Sequence, residues 1–429
     1  MWAPGRAPPE RPLDDTSGPQ QLADMHELMR ACDETGTVLN VIANAEPFTE
    51  DPRPSEGVAL AVLEAILAPE VARGEAPALP ARHLGALGAA RGPRFVDAIL
   101  SEAETRAHNL PVTDLETVYF GGGTPSMLSP AHLERIIIGL RRIFFIHPDA
   151  EINLEANPAT FGGQTSRIYA ELGVSRVSLG AQSFDPGILS TLERDHGPTE
   201  IIRSVTLLRE AGIRNVSIDL MFAVPGQTLN QWTSSLEQAL ELLPTHISAY
   251  NLTYEEDTVF FERFQRGIYQ TTEDLNAEMF ELAHGLLTSQ GLRHYETSNY
   301  ARPGFESRHN RAYWAGSDYL GLGPSAVSTV GGRRWKNIPD TAGYLLSIEQ
   351  QGHAEHEVES LTQSQFDLER IALMLRTDEG VHEQHLREVA TERINHTIEE
   401  GLAGWSGENL RLLGRGPLLV DSVVAHLAG

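Results

Sequence analysis

From residue 93 to residue 298 the sequence alternates between short apolar, β-branched runs and amphipathic stretches of helical spacing. Residues 95–106 read as a helix and residues 117–120 as a buried strand. A helix starts near Ser129, with Pro130 in its first turn and apolar residues at Leu133, Ile136, Ile137 and Leu140. Strands follow at 151–155, 176–180, 215–222, 246–252 and 294–298. The helices between them fall at 165–172, stopped by Gly173, at 199–211, capped by Thr199 and ended by Gly212, at 229–243 and at 272–289. Repeated units of this kind imply a parallel sheet with right-handed crossovers. The predicted fold class is α/β, a (β/α) barrel. About six strand candidates fall short of the eight that close a barrel, so a partial barrel is expected.

Three glycines, Gly121 to Gly123, and the pair Thr124-Pro125 stand where the strand at 117–120 hands over to the next helix. That position is the carboxyl end of the strand, the ligand side of α/β folds. Without Cβ atoms, such a loop lets polar ligand groups come close to backbone N–H donors. A tight turn with no ligand is the competing reading. Glu155, Gln182 and Asp219 each lie at or near the carboxyl end of a different strand, and a barrel would gather them at one mouth. Carboxylates there would accept from hydroxyl or ammonium groups, and Gln182 bonds in both directions. Arg194 would neutralise a carboxylate, or form an exposed helix ion pair.

Composition narrows the partners. The 429 residues carry a formal net charge of −26, which argues against nonspecific nucleic-acid binding and against an anionic membrane surface. The single cysteine, Cys32, precludes an internal disulfide and points to a cytoplasmic setting. The most apolar early run, at 58–68, is interrupted by Glu64 and too short for a membrane span, so no integral membrane segment is expected.

Three regions are expected. Residues 1–92 form an atypical N-terminal part, Pro-rich and without periodicity over 1–20, with a possible helix at 22–32, a strand at 37–43, and an Ala, Pro, Gly, Arg and Glu-rich tract from 46. Residues 93–355 hold the barrel. Residues 356–429 form a small C-terminal domain with helices at 366–376, 382–389 and 392–402, short strands at 409–412 and 417–420, and a closing helix at 421–427. That order is winged-helix-like. Glu383, Glu388, Glu392, Glu399 and Glu400 would repel phosphates, so packing or partner docking is favoured over DNA binding.

The ordered motifs GGGTP at 121–125, LEANP at 154–158, SLGAQSF at 178–184 and IDLMFAVPGQT at 218–228 resemble the radical S-adenosylmethionine (SAM) enzymes of the coproporphyrinogen-oxidase-like group. YETSNYA at 295–301 and GLGP at 321–324 continue the resemblance to the C-terminus. HNxxYW at 309–314 resembles the heme chaperones of this group, the HemW type, rather than its oxygen-independent oxidases, the HemN type. The resemblance implies that Gly122, Gly123, Thr124, Glu155, Gln182, Arg194 and Asp219 hold SAM. It also implies a heme site built from His309, Asn310, Tyr313 and Trp314. A neutral imidazole at His309 would ligate the iron, Tyr313 and Trp314 would face the porphyrin, and Arg308 and Arg311 would pair with propionates. A structural histidine bonded to backbone is the alternative for His309. Heme and an acceptor protein for it are the implied partners.

The sequence also departs from the group. Its CxxxCxxC loop, whose three thiolates hold a [4Fe–4S] cluster, has no counterpart upstream of GGGTP, and one thiol cannot replace three. Ser307 and Val327 stand where relatives often carry cysteine and histidine. Three functions therefore compete: a heme chaperone, a radical SAM oxidoreductase acting on a porphyrinogen, and an inactive product that lost the cluster genuinely or through an altered reading frame. HNxxYW favours the first.

Overall fold

The computed structural model describes residues 59–62, 81–112, 114–122, 124–252, 266 and 272–429. The expected lead-in at 1–20, the helix at 22–32 with Cys32, the strand at 37–43 and the loop residue Gly123 lie outside the described residues.

In chain order the first half runs β1 (Ala59–Val62), α1 (Ala81–Asn109), β2 (Asp114–Phe120), α2 (Pro130–Ile143), β3 (Phe145–Ala156), α3 (Gly163–Glu171) and β4 (Arg176–Gln182). It continues with α4 (Pro186–Thr191), α5 (Pro198–Glu210), β5 (Asn215–Phe222), α6 (Leu229–Glu241), β6 (His246–Asn251) and α7 (Glu273–Ser289). Then come β7 (Arg293–Glu296), β8 (Asn299–Ala301), α8 (Arg308–Trp314), β9 (Tyr319–Leu322), β10 (Val327–Val330), β11 (Arg333–Asn337), α9 (Thr341–Gln351) and β12 (Glu355–Ser360).

All twelve strands form one curled sheet in the order β12-β11-β10-β9-β1-β2-β3-β4-β5-β6-β8-β7. The run from β9 through β1 to β6 is parallel, and both ends are finished by antiparallel strands. The two end strands are not paired with each other, so the sheet is a partial barrel. The strand β1, inside the tract from 46 that had no assigned structure, fills the place between β9 and β2.

Strand alternation gives the sheet two unlike faces. Val118, Phe120, Ile152, Leu154, Val177, Leu179, Val216, Ile218, Leu220 and Ile247 are buried in one apolar core. They share it with Leu133 and Ile136 of α2, Val205 and Leu208 of α5, and Trp232 and Leu236 of α6. The residues between them on the strands are polar: Thr117 and Tyr119, then Glu151, Asn153 and Glu155, then Arg176 and Ser178, Ser217 and Asp219, and His246 and Ser248. Strand register sets these side by side, with Thr117 beside Glu151, Asn153 beside Arg176 and Ser217 beside His246.

Local signals account for most element ends. Ser129 accepts from the His132 N–H and Pro130 opens α2, whose four expected apolar positions are all buried. The helix at 199–211 is capped differently from expectation: Gly197 precedes Pro198 at the first helical position, and the Glu200 carboxylate accepts the Gly197 N–H at 3.0 Å. The single strand expected at 294–298 is instead the hairpin β7–β8, turned at Thr297-Ser298, which makes that edge antiparallel. A buried carboxylate, Glu102 on α1, binds the GLGP loop to the first helix. It accepts from Gly323 N–H at 3.0 Å, Asn337 Nδ2 at 2.8 Å and the Tyr344 hydroxyl at 2.7 Å.

Beyond β12 the chain forms α10 (Gln363–Met374), β13 (Val381–His382), α11 (Thr391–Glu399), β14 (Ala403–Ser406), β15 (Asn409–Leu412) and α12 (Val420–Ala428). A three-stranded sheet, β13-β15-β14, and the helices enclose a second core that includes Ile371, Leu375, Val381, Leu410 and Val424. The large sheet reaches Ser360, past the boundary expected at 355. The expected helix at 382–389 is β13 followed by one 3-10 turn, Glu383–Leu386. The expected strand at 417–420 is also a 3-10 turn, Gly416–Leu419, because Pro417 has no N–H to give a ladder and suits a first helical turn. The small domain is tied to the large one by Arg334 Nη2 on Glu369 at 2.9 Å and by the Asp378 N–H on the Tyr295 carbonyl at 3.0 Å.

Candidate functional site

At the carboxyl ends of β2 to β5, polar side chains and the glycine loop meet. Glu155 accepts from the Tyr119 hydroxyl at 2.5 Å with one oxygen and from the Gly122 N–H at 2.9 Å with the other. Gly122 has φ +67°, a conformation suited to glycine. A Cβ on Gly121 would strike the Tyr119 ring and lie 2.8 Å from Glu155 Oε1, so this glycine makes room for those two side chains. Thr124 Oγ1 accepts from Asn157 Nδ2 at 3.1 Å. A Cβ on Gly180 would lie 2.9 Å from Asn157 Oδ1 and 3.1 Å from Gln182 Nε2, which places these two amides over the end of β4.

Asp219 is held from three strands at once. Its carboxylate accepts from Ser178 at 2.7 Å, Ser217 at 2.9 Å and Ser248 at 2.7 Å. Two non-glycine residues here adopt left-handed backbone, Gln182 at φ +63° and Ala223, just beyond β5, at φ +59°. Strain of this kind costs about 1–3 kcal/mol and gathers at binding sites.

Arg194 follows α4, and its loop is fastened to the end of β4 by His196 Nε2 on the Ala181 carbonyl at 3.1 Å. Arg194 Nε is buried with no hydrogen-bond partner. Burial lowers the affinity of this guanidinium for its proton. The structure brings Gly122, Thr124, Glu155, Gln182 and Asp219 to the mouth and sets Arg194 beside the end of β4; Gly123 is outside the described residues.

The HNxxYW segment lies at the other end of the polar face. It forms α8, capped by Ser307, which accepts from the Asn310 N–H at 3.2 Å. Glu151 of β3 receives the N-terminus of this helix, accepting from Arg308 N–H and His309 N–H, both at 3.2 Å, and from the Ser307 hydroxyl at 3.4 Å. The His309 side chain points inward. It is 4% exposed, hydrogen-bonded through Nδ1 to Thr117 Oγ1 at 2.9 Å, and stacked on the Tyr119 ring with centroids 4.7 Å apart. Burial, with help from the Arg176 charge, pushes its pKa down to about 3.

The other residues of the segment are also engaged. Asn310 Oδ1 accepts from Ser307 at 3.1 Å. Tyr313 packs between Trp314 and Tyr319, at 6.2 Å and 5.3 Å. Arg308 donates to the Asp149 carbonyl at 2.6 Å, and Arg311 pairs with Glu379 at 2.6 Å. Both arginines expected to meet propionates hold protein groups in this arrangement.

Sequence reasoning missed Tyr119, Glu151, Asn157 and the three serines around Asp219. The available signal was spacing: Thr117, Tyr119 and Gly121, like Glu151, Asn153 and Glu155, recur with the period of two that puts them on one strand face.

Residues 89–239 match the radical SAM superfamily. The heme chaperone HemW of Mycobacterium tuberculosis is 34% identical over 346 residues, covering 80% of this chain and 88% of that protein. HemW of Lactococcus lactis is 36% identical over 287 residues, 67% of this chain and 75% of that one. The chain belongs to the HemW family of radical SAM proteins. The fold agrees: coproporphyrinogen III oxidase (HemN) of Escherichia coli superposes with a TM-score of 0.69 at 21% identity, covering 79% of this chain and 83% of that one. The HemW match to the M. tuberculosis protein is longer than the superfamily segment, so it takes in more than the glycine loop and the strand ends. Among the described residues, no helix is long and apolar enough to cross a membrane.

Proposed function

We propose that this chain is a heme chaperone, which binds heme and passes it to an acceptor protein. The observation that carries the reading is the HemW identity over most of both chains, joined to an intact HNxxYW helix. The mouth of the partial barrel is proposed to hold SAM through Gly122, Gly123, Thr124, Glu155, Gln182, Arg194 and Asp219. The unpartnered Arg194 Nε suits a carboxylate, and Glu155 and Asp219 suit ammonium or hydroxyl groups. SAM bound there would supply an adenosyl and methionyl group at the strand ends; the chain's own residues would orient it.

The donor set does not fit a [4Fe–4S] cluster. The sequence has one cysteine, Cys32, and the stretch after β1, residues 63–80, has none. Among the described residues no group of three or more His, Cys, Asp or Glu could hold a metal ion. The oxidoreductase reading therefore lacks its cluster ligands.

Heme is cargo in this reading, and His309 is its proposed axial ligand, with Asn310, Tyr313 and Trp314 beside it. The imidazole faces inward with Nδ1 engaged by Thr117, which leaves Nε2 as the nitrogen proposed to meet the iron. Residues 356–429 are proposed to serve as a docking module, their helices too acidic for a phosphate backbone. A cytoplasmic setting remains the proposed one, from the single cysteine.

The test is hemin titration followed by Soret absorbance, with the wild type, His309→Ala and His309→Gln compared, and then transfer to an apo-heme protein. A saturable shift that His309 substitution weakens about tenfold or more supports chaperone and ligand together. A shift indifferent to His309 moves the ligand elsewhere, and no saturable shift in folded protein ends the chaperone reading.

A further inference from the structure

The SAM mouth and the HNxxYW helix are separate motifs, yet one side chain touches the machinery of both. Tyr119 gives its hydroxyl to Glu155 at the mouth, and its ring covers the imidazole of His309 on the floor, with 29° between the planes. Glu155 is occupied on both oxygens, by Tyr119 and by Gly122 N–H. Each oxygen keeps a second acceptor site, so a ligand ammonium or hydroxyl that binds Glu155 draws on the same charge and weakens its bonds to these donors. Burial and the neighbouring Glu155 charge hold the Tyr119 phenol protonated, so it remains a donor that can be displaced.

The ring is packed between Gly121 and the His309 imidazole, so a shift of the ring reaches the imidazole directly. A Cβ on Gly121 would already overlap it, and Thr117, two residues earlier on the same strand face, fixes the far side of the imidazole. Loss of the hydroxyl bond is thus felt by His309 as a change in its stacking partner.

We propose that Tyr119 is a positioning residue through which the state of Glu155 at the mouth sets how firmly the His309 ring is held on the floor. The proposal deepens the preceding reading, since it assigns the mouth ligand control over the proposed heme ligand. In functional terms, occupancy of Glu155 loosens His309.

The experiment uses the full chain without SAM or heme, so it stands or falls apart from the binding of either. The histidine Cε1–H signals are recorded by NMR, with that of His309 assigned from His309→Gln. Glu155→Gln and Glu155→Asp are each compared in the wild-type and Tyr119→Phe backgrounds. Tyr119→Phe keeps the ring, and Glu155→Asp breaks the same bond by shortening the side chain should Glu155→Gln not fold. The expected result is a displaced His309 signal on changing Glu155, and no further displacement once the hydroxyl is gone. A His309 signal that ignores Glu155, or that moves equally in both backgrounds, overturns the proposal. Direct SAM binding by calorimetry is a separate measurement, and its failure would remove the mouth ligand while leaving this coupling intact.

Discussion

The Glu151 carboxylate accepts the backbone N–H of His309 at 3.2 Å, from a strand that lies 158 positions earlier in the chain. The same carboxylate accepts the Arg308 N–H and the Ser307 hydroxyl, so one acidic side chain fixes the start of the helix that carries HNxxYW. A carboxylate at a helix N-terminus satisfies donors that the helix itself leaves open.

Glu151→Ala is expected to destabilise the fold, because it strands these donors and leaves Arg176 facing an uncharged side chain. Each buried group left unpaired costs about 1–3 kcal/mol. Glu151→Gln keeps an acceptor and should lose less. Urea unfolding of the two variants checks the order.

Stability should fall on mild acidification. Burial lowers the pKa of His309 to about 3 and of His294 to about 4, and places His246 well below its ordinary value. The unfolded chain takes up these protons near pH 6.5 while the folded chain does not, so stability is complete above about 6.5. Down to each folded pKa it is lost at about 1.4 kcal/mol per group per pH unit. Urea midpoints at pH 7 and pH 5 measure the loss, and His309→Gln should flatten the slope.

Arg194→Gln is expected to weaken SAM binding about tenfold or more, the usual worth of a hydrogen bond to a charged group. It should leave thermal stability unchanged or slightly higher, because it removes a buried cation that burial already disfavours. Calorimetric titration beside a melting curve separates the two effects.

Gly121→Ala should act as a double displacement. The new methyl would occupy the space of the Tyr119 ring and press on Glu155, so both SAM affinity and melting temperature are expected to drop. Gly162→Ala, where no atom lies within 4 Å, is the control and should melt near the wild type.

The regular part of this fold was legible because its signals are local. Ser129-Pro130 marks the start of α2, and the run at 215–222 is β5 without adjustment. Less local features were not. β1 is four residues long and has its place through pairing with β2 and β9, which a reading of its own composition does not supply. Thr199 looks like a cap, but Pro198 takes the first helical position and moves the cap to Gly197. At the site, Glu155, Gln182 and Asp219 were legible as polar strand ends. Tyr119 was not, since an aromatic in an apolar run reads as core. Its role comes from neighbours at Glu155 and His309, which only the folded sheet brings together.

The two-faced sheet divides its labour between an apolar face that packs and a polar face that lines the mouth. Val118, Leu154 and Ile218 seal the structure against the helices, while Tyr119, Glu155 and Asp219 alternate with them on the polar face. The packing of the described core is apolar throughout, so the shape of the polar lining does not depend on thiolate ligands among the described residues.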